Sequence, residues 1–185
     1  MEGTVKDKSL YSRLAELLEY PTEGIKIKVD ECVKALEKDE RYPHEIVHEL
    51  EKFQKDLKEM PLDDLQGVYS YTFELSGDFT LDMGYHLYDG FKRSNKLTAI
   101  RSMYTANNFP YEEFDKGELP DHLPLLLHFL GFVKDEELKR DFRESFVIIA
   151  MEKLARAFER NHQNIYSHLI TAIYRVIEKD VKEEK

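Results

Sequence analysis

Apolar side chains recur along most of the chain at intervals of three and four residues, which is the pattern of amphipathic helices. Strand-like alternation is not convincing anywhere, and the 8 glycines and 6 prolines lie mostly between the periodic segments. We therefore expect an all-α fold, a bundle of about eight to ten helices. The pattern places them over residues 10–20, 26–38, 43–60, 62–75, 79–89, 92–106, 121–131, 135–160 and 163–181.

Local signals add detail to three of these helices. Asp63 or Asp64 suits the N-cap of the 62–75 helix. Gly131 suits the C′ position that follows a helix end. Residues 146–151 are all apolar, so the 135–160 helix is apolar on most of its circumference. We expect this helix to be the most buried of the bundle.

The chain length predicts one domain, since 185 residues is within the usual range for a single core. One long loop interrupts the helical pattern at 107–120, where Pro110, Gly117 and Pro120 fall. We expect a single domain over residues 1–185, and if it has two lobes, 107–120 is the best place for their boundary.

Charge and cysteine content narrow the function classes. Lys and Arg number 27 against 37 Asp and Glu, so the net charge is −10, which disfavours nucleic acid and favours basic peptides or other proteins as partners. The single cysteine, Cys32, excludes an internal disulfide and has acidic neighbours that disfavour a nucleophilic role.

No signal peptide is visible, and the longest uncharged runs, 122–133 and 161–174, are too short for a membrane span. We expect a cytoplasmic protein without membrane insertion.

One short motif suggests enzymatic chemistry. His44-Glu45-Ile46-Val47-His48 matches the H-E-x-x-H helix of zinc peptidases, in which two His hold the metal and the Glu activates water. On a helical wheel, however, both His lie about 150° from the centre of the apolar stripe. We therefore interpret the motif as a solvated helix face and predict no metal site there.

The segment 118–130 is the densest in candidate site residues. Asp121 lies between Pro120 and Pro124 at the start of a helix, where a carboxylate can act as an N-cap. Alternatively, Asp121 and His122 form a polar pair at the mouth of an apolar cleft, where the carboxylate holds a cationic group and the His responds to pH. The sequence leaves both interpretations open.

The stretch from Glu118 to Phe129 resembles the E-L-P-D-x-L-P-x-x-L-x-F signature of nitrate reductase assembly chaperones (NarJ-type), within the TorD/DmsD-type superfamily of molybdoenzyme maturation chaperones. Supporting stretches lie at 17–21, 61–66, 71–75 and 88–90, so the resemblance spans most of residues 10–131. Two positions depart from the pattern. His128 replaces the usual glutamate before the phenylalanine, and Lys92-Arg93-Ser94-Asn95 replaces R-x-R-G.

The resemblance implies an all-helical cytoplasmic protein with no catalytic activity and no cofactor of its own. It implies binding of the N-terminal, leader-bearing segment of a molybdoenzyme catalytic subunit until the molybdenum cofactor is inserted, and contact with molybdenum cofactor biosynthesis proteins. Carried over by motif, the residues that contact the peptide or shape its groove are Tyr88, Glu118, Pro120, Asp121 and His122.

The sequence also allows two other function classes. One is a zinc peptidase acting through His44, Glu45 and His48, and the other is a plain helical scaffold or regulator. The sequence does not distinguish a monomer from a homodimer, and it does not name the client reductase.

Overall fold

The computed structural model describes residues 8–183, which contain nine α-helices and no strand. This confirms the predicted all-α fold. The helices are α1 (Leu10–Leu17), α2 (Ile25–Lys38), α3 (His44–Glu59), α4 (Leu62–Tyr69), α5 (Gly90–Ala106), α6 (Leu123–Phe132), α7 (Glu136–Phe142), α8 (Ile148–Glu159) and α9 (Tyr166–Glu183).

Two of the predicted helices contain a π-helical turn without ending there. The turn Ser70–Glu74 extends α4, and Arg143–Val147 joins α7 to α8. The predicted helices over 62–75 and 135–160 therefore match continuous helical segments. The predicted cap of α4 is wrong, because Pro61 occupies the N-cap position and Asp63 and Asp64 lie in the first turn.

The helices pack both as neighbours in sequence and in two extensive long-range pairings. α1 packs on α2, α2 on α3 and α8 on α9, while α1 also packs on α6 and α3 on α9. Aromatic rings fill the space where α3, α4 and α9 meet, since the Tyr166 ring contacts those of Phe53, Tyr69 and Phe73 at centroid distances of 5.7, 5.8 and 4.9 Å.

The prediction that the 135–160 helix is the most buried is wrong. Every residue of α6 from Leu123 to Leu130 is buried, whereas Ile149 within the predicted apolar stretch of α8 remains 43% exposed. The cause is position, since α6 contacts α1 on one face while Phe129 contacts Tyr104 and Phe109 on another.

Gly131 does not end α6, which continues to Phe132. A Cβ atom at Gly131 would collide with the Ser9 and Ser12 hydroxyl groups of the α1 start. The glycine therefore permits the close approach of α6 to α1, and its role is packing rather than capping.

Residues 79–89 do not form the predicted short helix. One 3₁₀ turn, Gly77–Phe79, ends where this segment begins, and a second covers Met83–His86. An isolated antiparallel bridge between Asp82 and His122 lies between the two turns. The backbone groups here pair across the chain, with Met83 N–H donating to the Asp121 carbonyl (3.0 Å) and Leu123 N–H to the Leu81 carbonyl (2.8 Å). These bonds replace those of a helix.

The segment 107–120 packs on α6 rather than standing free. It contains a 3₁₀ turn at Tyr111–Glu113, and the Phe109 and Phe114 rings lie against Phe129 and His128 at centroid distances of 5.4 and 4.5 Å. The division of the chain into two lobes at this segment stays a prediction.

Candidate functional site

The Asp82–His122 bridge brings together a polar cluster from three parts of the chain. Asp82 comes from the 3₁₀ segment, His122 from the start of α6 and Arg93 from the first turn of α5. His122 Nδ1 lies 3.1 Å from Asp82 Oδ1, and the Arg93 guanidinium donates to Asp82 Oδ2 at 3.2 Å. Arg93 also approaches Asp121 Oδ2 at 3.5 Å, so one cation contacts two carboxylates.

Asp121 lies inside the protein, beneath this cluster, with 0% exposure. Its Oδ2 accepts a hydrogen bond from the Gly84 amide at 2.8 Å. A Cβ at position 84 would lie only 2.5 Å from that oxygen, so only glycine fits this approach. Burial raises the pKa of Asp121 and the charge of Asp82 raises it further, while Arg93 and the Gly84 amide only partly offset the rise.

The interpretation of Asp121 as an N-cap is wrong. The N-cap position of α6 is His122, and its side chain makes no capping hydrogen bond. Asp121 instead fixes the 3₁₀ turn that carries Gly84, and its neighbour Pro120 accepts a hydrogen bond from the buried Tyr104 hydroxyl at 2.8 Å. Both residues are therefore positioned to hold the shape of the site from below.

The outward part of the cluster consists of Asp82, Glu118 and His122. Glu118 is 53% exposed and its Oε2 lies 3.8 Å from His122 Nδ1, while the His122 side chain is 16% exposed. Burial alone would raise the pKa of Asp82, but contact with His122 and the charge of Arg93 outweigh it and lower that pKa. Asp82 therefore carries a negative charge at neutral pH.

These three side chains are also the group that could supply metal ligands among residues 8–183, since one atom of each lies within 4.8 Å of the others. The Arg93 guanidinium already contacts Asp82, and a second cation at the same carboxylate would meet its repulsion. Any added cation, whether a metal ion or an organic group, meets this repulsion at Asp82 and meets less of it at the more exposed Glu118.

Large apolar side chains are exposed on the segments that carry the cluster, and the Tyr85 ring lies 5.9 Å from the Arg93 guanidinium. Tyr85, Phe91 and Leu119 are all exposed large residues, and Phe91 reaches 89% exposure. Tyr88 is half-buried and its ring stacks on that of Phe146 at 6.3 Å. A ligand at this surface would meet acidic and aromatic groups together.

Of the predicted site residues, the structure brings Glu118, Asp121 and His122 together, with Pro120 directly before Asp121. The Tyr88 ring packs on Phe146 instead, and its amide donates to the Gly84 carbonyl at 2.9 Å. Sequence reasoning missed Asp82 altogether, because nothing in its neighbourhood distinguishes it from other acidic residues. Arg93 lies in the Lys92–Asn95 stretch that departs from the family pattern, and its guanidinium contacts two carboxylates of the protein itself.

The H-E-x-x-H motif lies on the exposed face of α3, as the helical wheel predicted. His44 and His48 are both exposed, and His48 Nδ1 lies 3.2 Å from Glu51 of the same helix.

Cys32 is buried, and burial raises its pKa to about 12, which disfavours a thiolate. None of the helices within residues 8–183 has the length and apolar character needed to cross a bilayer.

The fold and the cluster together define an all-helical protein with an acidic and aromatic surface site and a buried carboxylate beneath it. The chain belongs to the nitrate reductase delta subunit family, whose model matches residues 39–172. It is similar to the nitrate reductase molybdenum cofactor assembly chaperone NarJ of Escherichia coli strain K12, with 27% identity over 139 residues. That alignment covers 75% of this chain and 58% of the relative, and the O157:H7 protein of the same name gives the same values. The chain thus spans somewhat more than half the length of these relatives.

Proposed function

We propose that this protein is a molybdoenzyme maturation chaperone that acts in the cytoplasm without catalysis. Its client is the N-terminal segment of a nitrate-reductase-like catalytic subunit, which it holds while the molybdenum cofactor is inserted. Family membership supports the proposal, as does the similarity to relatives named for cofactor assembly. Contact with molybdenum cofactor biosynthesis proteins stays a prediction.

The observation that carries the site assignment is the outward-facing Asp82–Glu118–His122 cluster with the exposed Tyr85 ring beside it. A leader-type segment combines cationic and apolar side chains, and each has a counterpart here. Glu118 and Asp82 offer carboxylates to the cationic groups, while Tyr85 and Phe91 offer apolar surface.

The predicted site residues take different roles in this proposal. Glu118 and His122, together with Tyr88 at the margin, contact the segment. Pro120 and Asp121 are buried and therefore act by positioning the 3₁₀ turn and the Arg93 side chain.

Calorimetric titration with the N-terminal peptide of the catalytic subunit tests this function. We expect Glu118→Gln to weaken binding by about 1–3 kcal/mol, roughly 5- to 150-fold, because a charge-assisted contact is lost. Glu112→Gln removes the same charge from an exposed position outside the cluster and serves as the matched control.

Added salt should reduce the difference between parent and Glu118→Gln, because exposed pairs are screened. A parent protein that binds no such peptide would support a plain helical scaffold instead and overturn the proposal. Equal affinities of the parent and Glu118→Gln would remove the cluster from the binding site while leaving the chaperone function standing.

A further inference from the structure

A second surface, built from other elements, has a concentration of uncompensated negative charge. The end of α3 and the start of α4 form one wall of an open groove of about 940 Å³, and the turn between α8 and α9 forms the other. Asp56 and Glu59 project from α3, and Asp63 and Asp64 from α4. No Lys, Arg or His occurs among the described residues that line it.

The four carboxylates have no ion-pair partner in the described part of the chain, although many acidic residues elsewhere are paired. All four are exposed. Asp63 and Asp64 have a structural reason to be there, because a helix N-terminus favours negative charge. Asp56 and Glu59 do not, because they lie in the last turn of α3, where the helix dipole disfavours acidic side chains. Their placement lowers helix stability and concentrates charge at the groove.

Apolar side chains lie between these charges. Met60, Val68 and Ile165 line the groove, and Tyr71 projects from the π-helical turn that extends α4 with 71% of its surface exposed. Acidic edges around an apolar lining match a segment that carries both cationic and apolar side chains.

We propose that this groove, which we call the α3–α4 groove, is a second docking surface and that its occupant is a Lys- or Arg-rich segment of a partner protein with an apolar anchor. It shares no residue with the Asp82–Glu118–His122 cluster, so it can be occupied at the same time as that site. The proposal does not rest on the function assigned to the cluster.

Asp56→Asn combined with Glu59→Gln is the decisive variant. Because both charges oppose the helix dipole, their neutralisation should leave the melting temperature unchanged or raise it. The probe is a fluorescent synthetic peptide of paired lysines and leucines, titrated at low salt. We expect the double variant to bind it about 10-fold more weakly than the parent, with a smaller dependence on salt.

Control variants distinguish binding in the groove from non-specific attraction of the basic peptide to an acidic protein. Glu112→Gln with Glu113→Gln removes two exposed charges elsewhere and should change affinity by less than about 2-fold. Tyr71→Ser should weaken binding without loss of stability, because the ring is exposed. Equal losses of affinity in the two double variants would overturn the proposal. So would an unchanged affinity in the Asp56→Asn, Glu59→Gln variant.

Discussion

The close approach of Gly84 to Asp121 yields a sharp test of the candidate site. An ideal Cβ at position 84 lies 2.5 Å from Asp121 Oδ2, about 1 Å inside normal van der Waals contact. The carboxylate is fully buried, so it has little room to retreat. Gly84→Ala must therefore displace it, which breaks the 2.8 Å hydrogen bond from the Gly84 amide and disturbs the contact with Arg93.

The expected cost combines two effects. Overpacking of a buried position costs about 1–3 kcal/mol, and a weakened hydrogen bond to a charged acceptor adds a similar amount. We expect Gly84→Ala to lower the free energy of unfolding by about 2–4 kcal/mol. At about 2–4 °C per kcal/mol for a chain of this size, the melting temperature should fall by roughly 5–15 °C. Thermal melts followed by circular dichroism measure this shift.

Gly67→Ala is the matched control, because the same methyl group is added where nothing lies within 4 Å. Gly67 lies inside α4, so alanine should stabilise the protein by about 0.5–1 kcal/mol. In an Asp121→Ala background, Gly84→Ala should cost less than about 1 kcal/mol, since the clashing carboxylate is gone. A Gly84→Ala protein that melts at or above the parent temperature would refute the contact and with it the positioning role of Asp121.

Two further predictions concern polar side chains that contact charged groups. Tyr42→Phe removes the hydroxyl that donates to Asp180 Oδ1 at 2.8 Å. Urea denaturation should show a free energy of unfolding about 1.5–3 kcal/mol lower, which is the usual contribution of a hydrogen bond to a charged acceptor. An unchanged denaturation midpoint would contradict this prediction. Burial alone would raise the pKa of Glu19, but contact with His128 and Lys116 outweighs it and lowers the pKa to about 2. The ionised Glu19 carboxylate therefore stabilises the folded state above pH 4.5, and this contribution is lost as the pH falls toward 2. Glu19→Gln should therefore cost about 1–2 kcal/mol at pH 7, after allowance for the exposed Lys116, and almost nothing near pH 2. A cost independent of pH would contradict this assignment.

The sequence predicted the helices well because helical periodicity is local. A run such as 44–59 buries Ile46, Leu50 and Phe53 on one face, and that spacing is visible without any knowledge of the partner helices. The same locality explains the failure at 79–89. Its backbone pairs with residues 121–123, some forty positions away, and no pattern within the segment records that pairing.

The candidate site was predictable only in part for the same reason. Glu118, Asp121 and His122 are close in sequence and share a recognisable motif. Asp82 reaches them through the bridge to His122, and its importance follows from three-dimensional contact alone. Gly131 shows the same limit, because a glycine that ends a helix and a glycine that admits a neighbouring helix look identical in a sequence.

The arrangement around Arg93 connects the interior of the site with its surface. Arg93 contacts Asp82, which is partly exposed, and Asp121, which is not. A cationic group that approached Asp82 would therefore compete with Arg93 for that carboxylate, and Arg93 would retain Asp121 as its alternative partner. Because a buried carboxylate is stabilised by any increase in nearby positive charge, a closer Arg93 offsets part of the cost of burying Asp121. A cation bound at Asp82 would thus not leave the Arg93 guanidinium unpaired.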